Sequence, residues 1–420
     1  MCRRTNIKVM MIDPTQKKDT PELNTVELKK VLQKQKIIKL LYLNKALTTP
    51  DINGQMGLST PKIISLLNEL KNEGTVEEIG QADSSGGRRP VLYGLKKDAL
   101  YTVGITINLY RTTIFIFDGR NEAICEPEIM DINISEGEGI IDKVVAHTNA
   151  LIEEQKIDRK KIVGAGIEIP GLVNYEMGIN LTHLKTSTPL LKIFQTKLAL
   201  PVVIENDAKA RTYAELKFGA ARDRKNVLLL ELDWGIGLGM VLNGKLYRGK
   251  NSLAGEFGHL PMVKNDILCG CGKKGCLETI ASGTAIARMA KEGIKAGKSS
   301  MLTRLVNEDL DKIEPKTVVE AANAGDQYSI TILTGVGEWL GKSIAFLIQI
   351  FNPELIVLSG RVSNAGQYIL TPIQQAINIY CNPDLSKEVK IQVSELDKYA
   401  GVRGVTAMLM EKVMGKIETK

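Results

Sequence analysis

The stretch from Glu256 to Glu278, EFGHLPMVKNDILCGCGKKGCLE, constrains this chain most. It holds one of the three histidines and three of the six cysteines: His259, Cys269, Cys271 and Cys276. One imidazole and three thiolates form a closed tetrahedral shell for zinc, with no position left for water. The glycines of the loop allow the tight turns that let close neighbours share one ion: Gly270, Gly272 and Gly275. The spacing therefore predicts a structural zinc site rather than four unrelated side chains.

Two carboxylates bracket the same loop, and both can accept hydrogen bonds from hydroxyl groups. They are Glu256 and Glu278. A zinc-bound histidine also keeps a second ring nitrogen that can hold a carboxylate or a ligand oxygen. We therefore expect Glu256, His259 and Glu278 to contact a bound ligand beside the metal.

The segment EFGH, followed by CGCGKKGCLETIASG, resembles the signature of the ROK family, which comprises repressors, open reading frames and sugar kinases. The resemblance extends from about Tyr101 to the C-terminus. It implies an actin-like (ribonuclease H-like) α/β fold of two lobes with a sugar-binding cleft between them. The expected first lobe is 98–222 with a C-terminal helix at 402–420, and the second lobe is 223–401 with the zinc loop.

The first hundred residues carry most of the positive charge. They contain 17 lysines and arginines against 11 aspartates and glutamates, a net charge of +6 out of +7 for the whole chain. A basic end on a nearly neutral body suggests a polyanionic partner, although so small an excess also fits an ordinary solvated surface.

Helical periodicity predicts three helices after a flexible polar tail at residues 1–24. They lie at about 26–43, near 49–56, and from Ser59 or Thr60 to Asn72. Two helices joined by a short glycine turn are typical of a helix-turn-helix, whose second helix enters the major groove of DNA. The exposed candidates for DNA contacts on that helix are Ser59, Thr60, Lys62, Ser65 and Asn68.

Two strand-like segments, TVEEIG and VLYGL, follow and enclose QADSSGGRRP. They predict a β-hairpin wing whose basic tip, Arg88 and Arg89, reaches phosphates or a minor groove. Residues 25–97 would then form a winged helix-turn-helix domain, as in the repressor branch of the ROK family. The alternative is a three-helix domain that binds protein.

The resemblance also shows where a ROK kinase would hold ATP, and this chain departs from the pattern there. Thr106 stands at the aspartate of Asp-x-Gly-Gly-Thr, and a Leu–Tyr pair replaces two of the residues after it. Asp233 and Trp234 occupy the start of the second phosphate turn, and Arg361 replaces a glycine near the adenosine. Negative charge and bulk at these turns oppose close approach of phosphates. We therefore expect a protein that does not use ATP, with a glucokinase-like sugar kinase as the alternative.

The sugar-binding side is better kept. Pro170 and Gly171 form a turn beside the cleft in the family, and Asn206 and Asp207 match residues that hydrogen-bond the sugar. In ROK kinases the aspartate is also the general base, so Asp207 is a vestigial base here. Lys209 replaces a family asparagine, so the relatives' ligand specificity does not carry over to this chain by resemblance alone. The residues predicted to bind the sugar are Gly171, Asn206, Asp207, Glu256, His259 and Glu278.

These features predict a sugar-responsive transcriptional repressor that binds operator DNA as a homodimer or homotetramer. A protein partner acting on the body is a further possibility. No apolar run reaches the length of a membrane helix, the N-terminus lacks a secretory signal, and the thiol cluster suits a reducing cytoplasm.

Overall fold

The computed structural model describes residues 24–83 and 89–415 of the 420-residue chain. The chain divides into two compact units. The first comprises the residues up to Phe218 together with those from Tyr399 onward, and the second is Gly219–Lys398.

The described residues contain fourteen α-helices and fifteen strands. In chain order the helices are α1 Thr25–Asn44, α2 Thr49–Met56, α3 Thr60–Asn72, α4 Gly139–Glu154, α5 Leu190–Leu198, α6 Asp207–Phe218, α7 Glu278–Ala281, α8 Gly283–Lys295, α9 Leu302–Leu305, α10 Pro315–Asn323, α11 Gln327–Phe351, α12 Gln367–Tyr380, α13 Pro383–Ser386 and α14 Ala400–Val413. The strands are β1 Leu47–Thr48, β2 Val76–Gln81, β3 Val91–Leu95, β4 Tyr101–Ile107, β5 Thr112–Phe117, β6 Glu128–Met130, β7 Ile162–Ile169, β8 Val173–Asn174, β9 Ile179–Asn180, β10 Val202–Asn206, β11 Val227–Leu232, β12 Ile236–Leu242, β13 Lys245–Tyr247, β14 Leu355–Ser359 and β15 Lys390–Val393.

The N-terminal part, here called the head, consists of α1–α3 and the antiparallel sheet β1-β3-β2. Asn24 caps α1, because its side-chain oxygen accepts a hydrogen bond from the backbone amide of Glu27. In return, the backbone amide of Asn24 donates a hydrogen bond to the Glu27 carboxylate. Asn24, which the sequence places in the polar tail, therefore belongs to the first helix. Ser59 stands at the cap position of α3, but within the described part of the chain its side chain makes no capping hydrogen bond.

The body of the first unit is built on a five-stranded sheet in the order β10-β7-β4-β5-β6. Strands β10, β7 and β4 are parallel, whereas β5 and β6 continue as antiparallel neighbours. Helices α4 and α5 contribute to the apolar core on this sheet. Helix α14 packs on β4 and β7 and against α6.

The second unit repeats the same plan with the order β15-β14-β11-β12-β13. Its first strand is again central, with an antiparallel pair on one side and two parallel strands on the other. A doubled sheet of this order is the two-lobed α/β architecture that the sequence predicts. The parallel strands bring their carboxyl ends to one edge, where loops collect functional groups.

Helix α11 corrects one expectation, because it is long and apolar enough to cross a membrane by length and hydropathy alone. An 18-residue window in it reaches a mean hydropathy of 1.2. However, 56% of that window is buried inside the protein, and the helix packs closely on α12. It is therefore a core helix of the second unit, which explains its apolar composition.

Candidate functional site

The four predicted metal ligands meet in the second unit. His259, Cys269, Cys271 and Cys276 each present one ligand atom, and these atoms all lie within 4.8 Å of one another. The Cys269 sulfur is 3.4 Å from His259 Nδ1, and the Cys271 and Cys276 sulfurs are 3.6 Å apart. Ligands about 2.3 Å from a zinc ion lie about 3.8 Å apart at the corners of a tetrahedron. The two separations of 3.4 and 3.6 Å are close to that value.

Burial and mutual contact raise the pKa values of two of the three thiols. Burial, together with the neighbouring thiols of Cys271 and Cys269, raises the pKa of Cys276 to about 12. Burial likewise raises the pKa of Cys269. Thiols this close ionise together only when a positive charge lies among them, because adjacent thiolates repel each other. Zinc would supply that charge and would fix the loop.

Backbone contacts shape the metal loop. The Met262 amide donates to the Gly275 carbonyl at 2.8 Å, and the Cys269 amide donates to the Lys273 carbonyl at 2.8 Å. Gly272 and Gly275 adopt φ values of +86° and +80°, and a side chain on Gly275 would clash with the Val263 carbonyl. Gly270 does not adopt a positive φ. The prediction of three glycine-dependent turns is thus correct for two of the three residues.

The second nitrogen of His259 points to a predicted partner. Its Nε2 lies 3.9 Å from Glu256 Oε2, and both side chains are partly exposed. Glu278 is half-buried, and its Oε2 accepts a hydrogen bond from the Ile236 amide at 3.2 Å. Glu256 and His259 therefore present polar atoms at the surface of the second unit, whereas Glu278 braces the metal loop against β12.

In the first unit, three predicted ligands lie together at the carboxyl end of β10. The side-chain nitrogen of Asn206 donates to the Gly171 carbonyl at 3.1 Å and to Asp207 Oδ1 at 2.7 Å. The side-chain oxygen of Asn206 accepts from the Lys209 amide. The amide of Asn206 is therefore engaged in holding the turn, and Asp207, the first residue of α6, is the better candidate for direct ligand contact.

Sequence reasoning missed a residue that shapes the same turn. Asn180 is buried, and its side-chain oxygen accepts hydrogen bonds from three successive amides, those of residues 182–184. Its nitrogen donates to the Pro170 carbonyl at 2.8 Å. Gly171 has φ +85°, and a side chain there would approach Thr182 to 2.8 Å. His183, to which sequence reasoning gives no role, also borders this glycine.

The second phosphate turn is occupied by an internal ion pair. Arg361 Nε donates to both carboxylate oxygens of Asp233, at 2.8 and 3.1 Å. The same guanidinium lies 5.3 Å from the centre of the Trp234 ring. Asp233 Oδ1 also accepts the Trp234 amide, which in a phosphate-binding turn would face the ligand. Sequence reasoning found these substitutions but not their mutual pairing.

The first phosphate turn is a tight hairpin between β4 and β5. The Asn108 amide donates to the Arg111 carbonyl at 2.8 Å, and Leu109 packs against the core of the unit. Thr106 Oγ1 donates to the buried carboxylate of Glu168 at 2.7 Å. Glu168 was also missed, because its pairing with Thr106 depends on the register of β4 with β7.

On the head, the five predicted contact residues of α3 are all exposed: Ser59, Thr60, Lys62, Ser65 and Asn68. The C-terminal end of α3 is fixed to α1, because Lys34 pairs with Glu69 at 2.8 Å and with Glu73, just after α3, at 2.6 Å. Arg89 is exposed beside β3, whereas Arg88 lies outside the described residues. The exposed side of α3 therefore carries these five polar side chains.

A model of the ROK family matches residues 116–412. The xylose repressor of Caldicellulosiruptor bescii is 32% identical over 395 residues, which are 92% of this chain and 97% of that protein. A solved ROK family transcriptional regulator, a homologue of the E. coli MLC protein, aligns with a TM-score of 0.74 and 26% identity over 92% of this chain and 97% of its own. A ROK family glucokinase from Streptomyces griseus, in complex with glucose and AMPPNP, aligns with a TM-score of 0.66 and 29% identity over 73% of this chain and 98% of its own. By its matched residues and by this similarity, the chain belongs to the ROK family.

Proposed function

We propose that this protein is a sugar-responsive transcriptional repressor whose head is a winged helix-turn-helix domain that binds operator DNA. The observation that carries the proposal is the similarity to the xylose repressor, which extends over 92% of this chain. So long a match leaves too few residues uncovered to omit the head. The exposed polar face of α3 supports the same function, since a second helix of this kind reads base edges in the major groove.

The head would bind DNA as part of a homodimer or homotetramer, because two such helices one turn of DNA apart read an inverted repeat. Ser59, Thr60, Lys62, Ser65 and Asn68 would face the bases and phosphates. Arg89 and Arg88, at the wing, would reach the backbone or an adjacent minor groove. The expected location of such a regulator is the cytoplasm.

The effector would be a sugar or a sugar derivative. The candidate contacts form two groups, Gly171, Asn206 and Asp207 in the first unit and Glu256, His259 and Glu278 in the second. Short polar groups of this kind satisfy the hydroxyls of a polyol and reject analogues that lack them. A structural zinc on His259, Cys269, Cys271 and Cys276 would fix the orientation of the His259 ring.

The second candidate function is a sugar kinase, which the similarity to the glucokinase of Streptomyces griseus favours. The Asp233–Arg361 pair opposes it, because a carboxylate and a guanidinium fill the turn that phosphates would need. In the repressor, Asp207 would keep its sugar contact without acting as a general base.

A thermal-shift screen separates these functions. Pentoses, hexoses, N-acetylated amino sugars and their phosphates are tested with and without MgATP, since a ligand of the folded state raises the melting temperature by mass action. The proposal predicts a shift by one sugar that is independent of MgATP and is lost in Asp207→Ala or Glu256→Ala. Stabilisation by MgATP, with sugar phosphorylation that is lost in Asp207→Asn, would establish the kinase instead. If no sugar raises the melting temperature, the proposal of a sugar effector fails and a protein partner is the next candidate.

A further inference from the structure

Buried polar contacts attach the head to the body of the first unit. Lys39 and Tyr42 of α1 are fully buried. The Tyr42 hydroxyl lies 3.2 Å from Thr102 Oγ1 and donates to Asn121 Oδ1 at 3.1 Å. Lys39 Nζ donates to the carbonyl oxygen of Gly415, just after α14. Leaving such groups unpaired in the interior is costly, so α1 moves together with the body.

Two body helices end where Lys39 is buried. Lys217 lies near the end of α6 and Glu411 lies near the end of α14, and their side chains form an ion pair at 2.9 Å. Burial alone would raise the pKa of Glu411, but Lys217, Tyr213 and Lys39 together lower it. The carboxylate is therefore charged and attracts both lysines. The side chains of Lys39, Lys217 and Glu411, together with the Gly415 carbonyl, are called the Lys39 cluster below.

The other ends of the same two helices lie at the proposed effector contacts. Helix α6 begins at Asp207 itself. Helix α14 begins at Ala400, and its second residue, Gly401, faces the Glu168 carboxylate so closely that a side chain there would clash. Glu168 lies two residues before Pro170 of the Pro170–Gly171 turn. Both helices thus extend from the effector turn to the Lys39 cluster.

Close backbone packing makes these helices and the sheet one rigid element. A side chain on Gly404 of α14 would clash with the Ala210 carbonyl of α6. A side chain on Gly166 of β7 would come within 2.8 Å of the Val405 carbonyl carbon of α14. Backbones in direct contact have no flexible side chains between them to absorb a shift. A displacement at one end of the helix pair is therefore carried to the other.

On the basis of the proposed function, we propose that α6 and α14 transmit the effector signal to the head through the Lys39 cluster. A sugar bound at Asp207 displaces the helix pair, and Glu411 and Lys217 move Lys39 and α1 with them. Because α1 holds α3 through the Lys34 pairs with Glu69 and Glu73, the DNA-contacting helix is displaced too. Coupling of this kind is the ratio of DNA affinities with and without effector.

The test compares Lys39→Met and Glu411→Gln with Lys412→Met, which removes an exposed charge from the neighbouring position on α14. The dissociation constant for a duplex selected from random DNA is measured with and without D-xylose, D-glucose or N-acetyl-D-glucosamine. Wild type and Lys412→Met should show the same sugar-dependent change in DNA affinity. In Lys39→Met and Glu411→Gln the ratio should fall close to one, while each variant still binds DNA and is still stabilised by the sugar.

The inference is overturned if both cluster variants keep the wild-type ratio. Thermal melting identifies a variant that fails to fold, and the double variant Lys39→Met/Glu411→Leu, which removes both opposite charges, then replaces it in the same comparison. Failure of the proposed function has a different signature, because the wild type itself would then lack DNA binding or its dependence on sugar, and the inference would fall with it.

Discussion

At the scale of single residues, Gly275 gives the sharpest prediction about the metal loop. Its φ of +80° and its closeness to the Val263 carbonyl leave no room for a side chain. Gly275→Ala should therefore lower the free energy of unfolding by at least about 1–3 kcal/mol, the cost of a strained backbone residue. Urea unfolding measures this change. Gly270→Ala is the matched control, since among the described residues no atom lies within 4 Å of its would-be side chain. An equal loss of unfolding free energy in both variants would contradict the steric requirement for glycine at position 275.

Lys39 gives a prediction about pH. Burial lowers the pKa of Lys39 from 10.5 to about 8, with Glu411 opposing the change and Lys217 and Lys36 adding to it. Between pH 8 and 10.5 the unfolded chain therefore binds a proton that the folded chain lacks, and the free energy of unfolding should rise with pH through this window. Tyr42, whose pKa burial raises to about 12, acts in the opposite direction only above about pH 10.

The measurement is chemical unfolding at intervals from pH 7.5 to 9.5. The wild type should gain stability relative to Lys39→Met as the pH rises, and Lys412→Met should follow the wild type. A difference in unfolding free energy between wild type and Lys39→Met that stays constant across this range would contradict the lowered pKa of Lys39.

Residue identity predicted that His259, Cys269, Cys271 and Cys276 would lie together, because they are close in sequence and all have side chains that bind zinc. It could not predict the bond between Thr106 and Glu168 or the role of Asn180. Both depend on which strands pair and on how a turn closes, and these are set by packing over distances the local sequence does not encode. Arg361 and Asp233 were each recognised as departures, but 128 positions separate them, and only the fold brings them together.

At the scale of elements, the metal loop should depend on its ion. Purified protein should contain about one zinc per chain, and Cys271→Ser should lower the melting temperature substantially, since metal binding and folding of such loops are coupled. Cys125→Ser is the control, because this cysteine lies in the first unit outside the cluster. A folded, metal-free protein with reduced cysteines and an unchanged melting temperature in Cys271→Ser would exclude the zinc site.

The wing should contribute to DNA affinity through charge. Arg89→Ala should weaken binding to all duplexes alike and reduce the salt dependence of the binding constant by about one phosphate contact. Anisotropy titrations between low and physiological salt measure both effects. Lys298→Ala, an exposed charge in the second unit, should change neither. Identical salt slopes for wild type and Arg89→Ala would remove Arg89 from the interface.

Local signals located the head elements closely. The prediction of helices near 49–56 and up to Asn72 is confirmed by α2 and α3, because proline and polar capping residues mark their starts and glycines follow them. The exposed side of α3 also followed from its periodicity. The helix predicted at about 26–43 is confirmed by α1, Thr25–Asn44, and only its capping residue, Asn24, was placed in the polar tail.

At the scale of the whole molecule, the two units share one strand order. Alternating strands and helices indicate an α/β fold from sequence alone, and the family resemblance supplied the two lobes. Sequence alone did not reveal the internal repetition of strand order, because the two sheets carry different side chains on the same backbone plan. The departures from the phosphate-binding pattern of a ROK kinase are confined to a few residues, such as Asp233 and Arg361.

The most direct test of the account is selection of random duplex DNA by the purified full-length protein, followed by binding of the enriched duplex with and without the sugar panel. We expect an inverted repeat to be enriched and one sugar to change its dissociation constant by about fivefold or more, the usual range for allosteric coupling. Enrichment of no sequence, or binding that no sugar alters, would contradict the central claim that this is a sugar-responsive repressor.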